Sequence, residues 1–199
     1  MRRIFPAVLA LMFLFPVVVA AQQQDAQAAV QGHVDNVLKV LRNPALKGEK
    51  GEKQKKAELT AESDKFFDFV ELSKRTLGLD WNRFTTEQRK EFVTLYKELL
   101  WNTYIDRITA YTNEKVEFTK TVPLSGNTAE VRSEVVSKGD RIPIYYRVMN
   151  ESGQWRVYDV VIENVSLIAN YRTQFKEILV NQPPQGLLDT LKKRVGSAS

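Results

Sequence analysis

Hydrophobic spacing divides the chain into a helical first half, an alternating middle and a helical end. Val30, Val34, Val37, Leu38 and Leu41 recur every three or four residues, which predicts an amphipathic helix from Ala28 that stops near Asn43-Pro44. The polar stretch 22–27 reads as a frayed lead-in, and 46–51 as a charged, glycine-containing connection. A polar-surfaced helix is expected over 53–64. Phe66, Phe67, Phe69, Leu72 and Leu77 then crowd together before Gly78, a helix C-cap residue. Thr85 with Gln88 is a capping-box signature. The helix it opens runs to about Ala110, with Phe92, Leu95, Tyr96, Leu99, Leu100, Tyr104, Ile105 and Ile108 on a broad apolar face.

Near Asn113 the period changes to two. Val116 and Phe118 begin the alternation. Ala129, Val131, Ser133 and Val135 share one face of a second strand, and Ile142, Ile144, Tyr146 and Val148 one face of a third. The fourth spans 155–163. Turn signals at 125–127, 138–140 and 150–153 join neighbours and predict an antiparallel meander. Pro143 predicts a late start or a bulge in the third strand. A tight 150–153 loop predicts Val148 opposite Trp155, Tyr146 opposite Val157, and an unfavourable Arg147–Arg156 pair on the other face. Ile144, Tyr146, Val148, Trp155, Val157 and Val161 are then expected on the helix side, with Asp159 among them. Ser166 caps a helix carrying Leu167, Tyr171, Phe175, Ile178 and Leu179. Gln182-Pro183-Pro184 breaks it, and Leu187, Leu188 and Leu191 mark a short last helix. The fold class is α+β, with several helices on one face of a four-stranded antiparallel sheet. An ordinary filled core and a cavity between sheet and helices both satisfy this pattern.

The N-terminus changes the picture. Arg2 and Arg3 precede an uncharged apolar run over 4–19 that ends in Val19-Ala20-Ala21. This is the build of a secretory signal cleaved after Ala21. At about 17 residues the run is at the lower limit for spanning a bilayer. The domain organisation is therefore 1–21 as signal peptide and 22–199 as a single domain, without a stable membrane anchor. Losing Arg2 and Arg3 lowers the formal net charge of +5 by two. Glu49 and Glu52 interrupt the lysines of 47–56, so the basic stripe of a nucleic-acid binder is missing. The chain has no Cys and one His, His33. That composition argues against a zinc site and a cysteine or serine triad, and no cofactor motif is present. His33 is expected on the surface of the first helix.

Several motifs recur in a specific order. Glu71-Leu72-Ser73-Lys74-Arg75-Thr76-Leu77-Gly78 is followed by Trp81, then Phe84-Thr85-Thr86-Glu87-Gln88 and Phe92. Leu99-Leu100 and Thr103-Tyr104 come next. The series closes with Trp155-Arg156-Val157-Tyr158-Asp159-Val160, Val165-Ser166-Leu167 and Asn170-Tyr171-Arg172-Thr173-Gln174-Phe175. In order and spacing, the chain from Val30 to Leu191 closely resembles the MlaC, or toluene-tolerance auxiliary, family. One departure is Asn164, where a glycine is expected; Asn tolerates a left-handed turn. The resemblance implies an NTF2-like fold around a deep apolar cavity for phospholipid tails, with phospholipid as cargo rather than cofactor. It implies a periplasmic carrier that exchanges diacyl phospholipid with an inner-membrane ABC transporter bearing an MCE-domain subunit. An outer-membrane lipoprotein–porin complex is the implied partner at the other membrane.

On that reading, tails enter between the sheet and the 85–110 helix, with the headgroup near solvent. Candidate lining residues are Phe69, Leu72, Trp81, Leu95, Leu99, Tyr104, Tyr146, Val148, Trp155, Val157, Leu167, Tyr171 and Phe175. Each equally suits core packing. Arg75 and Arg172 are candidate phosphate contacts or structural ion-pair partners. Two other classes stay open: an enzyme using Asp159 beside Tyr104 or Tyr146 in an apolar pocket, and an adaptor that binds only protein.

Overall fold

The computed structural model describes residues 15–110, 114–137 and 139–197, with 15–24 as backbone only. Most of the leader, 1–14, lies outside the described residues. Helix α1 (Phe15–Arg42) passes through Ala21 and through 22–27 without a break. The expected frayed lead-in is thus helical. Ala26 is fully buried, and the Thr121 hydroxyl donates to the Gln27 side chain, so the segment is seated on the sheet. No described helix is long and apolar enough to cross a membrane.

A 3-10 turn (Pro44–Leu46) leads into α2 (Gly48–Phe66), which starts earlier than its polar sequence suggests. Gly51 explains the difference: a Cβ there would lie 2.5 Å from the Leu46 carbonyl carbon, so only glycine seats the first turn on buried Leu46. Helix α3 (Phe69–Leu77) ends on Gly78 at φ 57, and a second 3-10 turn (Gly78–Arg83) follows. Helix α4 (Thr86–Thr109) opens with the expected capping box, Thr85 and Gln88 each accepting the other's backbone N–H. Helices α5 (Leu167–Asn181) and α6 (Pro184–Gly196) close the chain.

Between them lies one antiparallel sheet of five strands in sequential order: β1 (Lys115–Pro123), β2 (Thr128–Ser137), β3 (Asp140–Glu151), β4 (Gln154–Ile162) and β5 (Val165–Ser166). The fifth strand, two residues long, was not foreseen. Glu163 and Asn164 form the turn before it, at φ 49 and φ 67, so Asn164 does take the left-handed conformation where a glycine was expected. Pro143 neither delays nor bulges β3: it pairs with Glu134 in an unbroken β2–β3 register. Its carbonyl accepts from Glu163 beyond the end of β4, so the missing N–H interrupts no ladder.

The β3–β4 hairpin corrects the expected pairing. Its two-residue turn is Ser152-Gly153, with φ 50 and φ 88, which is the positive-φ pair of a type I′ turn. The strands therefore zip further, with Val148 opposite Val157 and Asn150 opposite Trp155. A bulge at Tyr158 then shifts the register, so Tyr146 faces Val160 and Arg147 faces Asp159. The expected Arg147–Arg156 clash becomes an Arg147–Asp159 ion pair at 3.0 Å. The bulge also explains why β4 is apolar on both sides. Trp155 and Val157 before it share the inner face with Val160 and Ile162 after it. Val161 and Asp159, expected on that face, lie on the outer one.

Helix α1 crosses the inner face of the sheet, α3 and α5 pack on β4, and α4 packs on α6 and α3. The outer face is a lattice of charge. Arg141 bridges Glu117 and Glu134, and Glu130 is held by Arg132 and Arg147.

Candidate functional site

The inner apolar layer has two unlike halves. One is filled. Phe92 and Tyr96 of α4 meet Tyr171 and Phe175 of α5 in a ring cluster with centroid separations of 5.2–5.6 Å. All four residues are buried, and edge-to-face pairs dominate, the favoured aromatic geometry. The Thr76 hydroxyl meets the Tyr96 hydroxyl at 3.4 Å, and burial raises the Tyr96 pKa far above the ordinary phenol value. Leu72, Val148, Trp155, Val157 and Leu167 are buried in the same cluster.

The other half is open. Leu95, Leu99 and Tyr104 of α4, Val116 and Phe118 of β1, Ile144 and Tyr146 of β3 and Ile162 of β4 pack against the core yet keep accessible surface. Among the described residues, the extensive close approaches of α4 are to α6 and α3, not to any strand. Helix α1 covers part of the inner face of β1–β3, and these side chains lie beside it. Burial pushes the Tyr146 hydroxyl up to about 12, with a hydrogen bond from Ser133 opposing the rise, and the residue is half-buried. Burial also raises the Tyr104 hydroxyl, with Tyr171 adding to the rise and Arg107 opposing it.

The thirteen apolar candidates therefore separate. Leu95, Leu99, Tyr104 and Tyr146 border the open half. Leu72, Val148, Trp155, Val157, Leu167, Tyr171 and Phe175 are packed core. Phe69 and Trp81 are half-buried at the margin, Phe69 stacked on Phe67 at 5.4 Å and Trp81 beneath the Arg89 guanidinium at 5.2 Å. Val116, Phe118, Ile144 and Ile162 were not among the candidates. The alternation at Val116 and Phe118 was the available signal; the Tyr158 bulge hid Ile162.

The two candidate phosphate contacts are engaged elsewhere. Arg75 pairs with Glu71 at 2.7 Å and stacks over Tyr158 at 4.1 Å, while Arg172 donates to the Arg75 carbonyl. Asp159 does not approach Tyr104 or Tyr146. It is buried on the opposite side of the sheet from Tyr146, where its carboxylate accepts from Arg147, the Ser166 hydroxyl and the Ile168 N–H. It ties the start of α5 to β4, and the acid–tyrosine pair of the enzyme reading is not formed. His33, expected on the surface, is half-buried between α1 and α2. It stacks on Phe66 at 4.8 Å and bonds Glu62 at 2.6 Å.

A groove of about 720 Å³, absent from the sequence reading, lies at the β3–β4 hairpin, bordered by α1 and the end of α2. No group of three or more His, Asp or Glu among the described residues is placed to hold a metal ion.

Comparison with known proteins gives this arrangement a context. The fold is similar to that of a solved structure described as the phospholipid-binding protein from Ralstonia solanacearum in complex with a phospholipid. The two share 28% identity with a TM-score of 0.80, covering 87% of this chain and 98% of that one. The family profile described as MlaC protein matches residues 31–193, and the chain belongs to the MlaC family. It is 27% identical over 124 residues to the intermembrane phospholipid transport system binding protein MlaC of Haemophilus influenzae, covering 60% of this chain and 58% of that protein. It is 24% identical over 110 residues to the toluene tolerance protein ttg2D of Pseudomonas putida, covering 54% and 51%. The chain thus aligns with just over half the length of these curated relatives.

Proposed function

We propose that this protein is a soluble carrier of diacyl phospholipid that holds acyl chains in the open half of its apolar layer. The observation that carries the reading is the set of apolar side chains around Tyr146 that pack against the core yet keep accessible surface. Its similarity to a protein described as binding a phospholipid supports the same reading. The energetics require such a seam. About 30 tail methylenes at about 0.8 kcal/mol each cost on the order of 20 kcal/mol in water. A carrier has only to match the bilayer, because the lipid starts and ends in one.

On this proposal the leader is cleaved near Ala21 and residues 22–199 work in the periplasm as one phospholipid-binding domain. The lipid is cargo; it is moved, not transformed. The partners are an inner-membrane ABC transporter with an MCE-domain subunit and an outer-membrane lipoprotein–porin complex. Exchange between them maintains the lipid asymmetry of the outer membrane. Extraction of the purified mature protein and mass spectrometry test the reading. Diacyl phospholipid at near one per chain is expected. A protein that is consistently empty and takes up no lipid from vesicles contradicts it.

A further inference from the structure

Helices α2 and α4 flank the open half without packing extensively on each other. Among the described residues, α2 packs closely on α1, and α4 on α6 and α3. Phe66 at the end of α2 meets Tyr146 of the open half at 5.7 Å, and Leu99 and Tyr104 of α4 border the same half. Two ion pairs nevertheless join the helices. Lys97 of α4 holds Asp64 of α2, and Lys56 of α2 holds Asp106 of α4 at 3.8 Å. The Lys97 ammonium also lies 5.5 Å from the centre of the Phe69 ring.

The pairs sit at matching intervals. At about 1.5 Å per residue, the two anchors on α2 are about 12 Å apart and those on α4 about 14 Å apart. Near-equal intervals in reversed order are those of two antiparallel helices tied side by side at two points. Between the ties α4 carries Leu99 and Tyr104, both half-buried. On α2, Lys56, Thr60 and Asp64 recur every four residues and share one face, so only Thr60 stands between the two ties. Its hydroxyl turns back to the Lys56 carbonyl. The larger Leu59 and Glu62 are buried, Glu62 against His33 of α1. The interval is closed by salt bridges rather than by packing.

We propose that the interval between α2 and α4 is the gate by which acyl chains enter and leave the open half, with Asp64–Lys97 and Lys56–Asp106 as its latches; this rests on the carrier reading above. Both pairs are partly exposed, so parting them costs little. When the interval widens, α2 keeps its contact with α1, and α4 keeps its contacts with α3 and α6. A carrier needs that combination, because cargo held in water has to be surrendered at a bilayer without unfolding the protein.

The chain has no Cys, so Asp64→Cys with Lys97→Cys supplies one pair of thiols, which a short bis-maleimide joins across the interval. The mature double variant is loaded with deuterated phosphatidylglycerol and then cross-linked; a second portion is capped with N-ethylmaleimide and stays unlocked. Each is mixed with excess vesicles of unlabelled phosphatidylglycerol, and the label left on the protein is followed by mass spectrometry. The locked form is expected to exchange about tenfold or more slowly, as when a gating motion limits a rate. Equal rates in the two forms overturn the gate and leave the carrier intact. No label on either form, or on the wild type, overturns the carrier reading and the gate with it. Lys97→Ala is expected to exchange about threefold faster than the wild type, the scale of one partly exposed ion pair. An unmoved rate there overturns the role of that latch. Asp64→Lys with Lys97→Asp is expected to restore the wild-type rate, which loss of the Phe69 contact alone would not allow.

Discussion

The α4–α5 contact and the α4–β1 flank are built from similar residues and do different things. In the first, Phe92, Tyr96, Tyr171 and Phe175 lie ring against ring, all buried. In the second, Leu99, Tyr104, Val116 and Phe118 are equally apolar and turned inward, yet half-buried. Composition does not distinguish the halves; burial does. Phe92 and Tyr96 find ring partners on α5, whereas Leu99 and Tyr104 pack against the core and keep accessible surface. An apolar layer that is dense at one end and open at the other keeps its shape while part of it changes occupant. On the proposed function, the packed half supplies stability and the open half supplies capacity.

This division is broken most directly by truncating the packed half. Phe92→Ala is expected to cost about 4 kcal/mol in denaturant unfolding, since it empties a cluster with no neighbour free to collapse. A loss under about 1 kcal/mol would show that the cluster is loosely packed. Leu99→Arg, in the open half, is expected to fold, because arginine can carry its head to the boundary from a half-buried position. Bound lipid is expected to fall about tenfold or more, equivalent to at least about 1.4 kcal/mol of binding. Normal lipid content in the folded variant would place the tails elsewhere. Phe118→Ala sharpens the comparison from the other side. Its expected cost to the delipidated protein is about 1 kcal/mol or less, because the ring already keeps accessible surface.

The smallest effect concerns the clasp between α1 and α2. Burial alone raises the Glu62 carboxyl. Hydrogen bonds from His33 and Asn36, with the charges of His33 and Lys65, outweigh it and hold the carboxyl below the ordinary glutamate range. A depressed carboxyl contributes stability above its unfolded value of about 4.3 and loses it as pH falls through the folded value. Acid unfolding of wild type and Glu62→Gln is expected to differ by under about 1 kcal/mol above that range and to converge below it. Parallel curves would show that the clasp is not linked to protonation.

Much of the fold was legible because local chemistry decides it. Thr85 and Gln88 announced α4, Gly78 ended α3, and period-two runs marked four strands. What escaped depends on partners distant in sequence. The polar stretch 22–27 is helical because Ala26 fits against the sheet, which no local signal reports. The face of Val161 and Asp159 turned on one inserted residue, Tyr158, and alternation alone cannot place a bulge in a strand apolar on both sides. The site was legible as a region but not as a lining. Tyr171 and Leu99 both read as inward apolar residues; only the ring partners that meet Tyr171 from elsewhere in the chain leave it buried while Leu99 is half-buried.

The central claim is that lipid tails occupy the α4–β1 half. Phospholipid with a photoreactive group near the tail terminus, loaded into the mature protein and irradiated, tests it directly when the cross-linked peptides are sequenced. Labelling is expected on α4 around Leu99 and Tyr104 and on the strand segments holding Val116, Phe118, Ile144 and Tyr146. Labelling concentrated on α6 or the outer face of the sheet, with these segments untouched, would contradict the account.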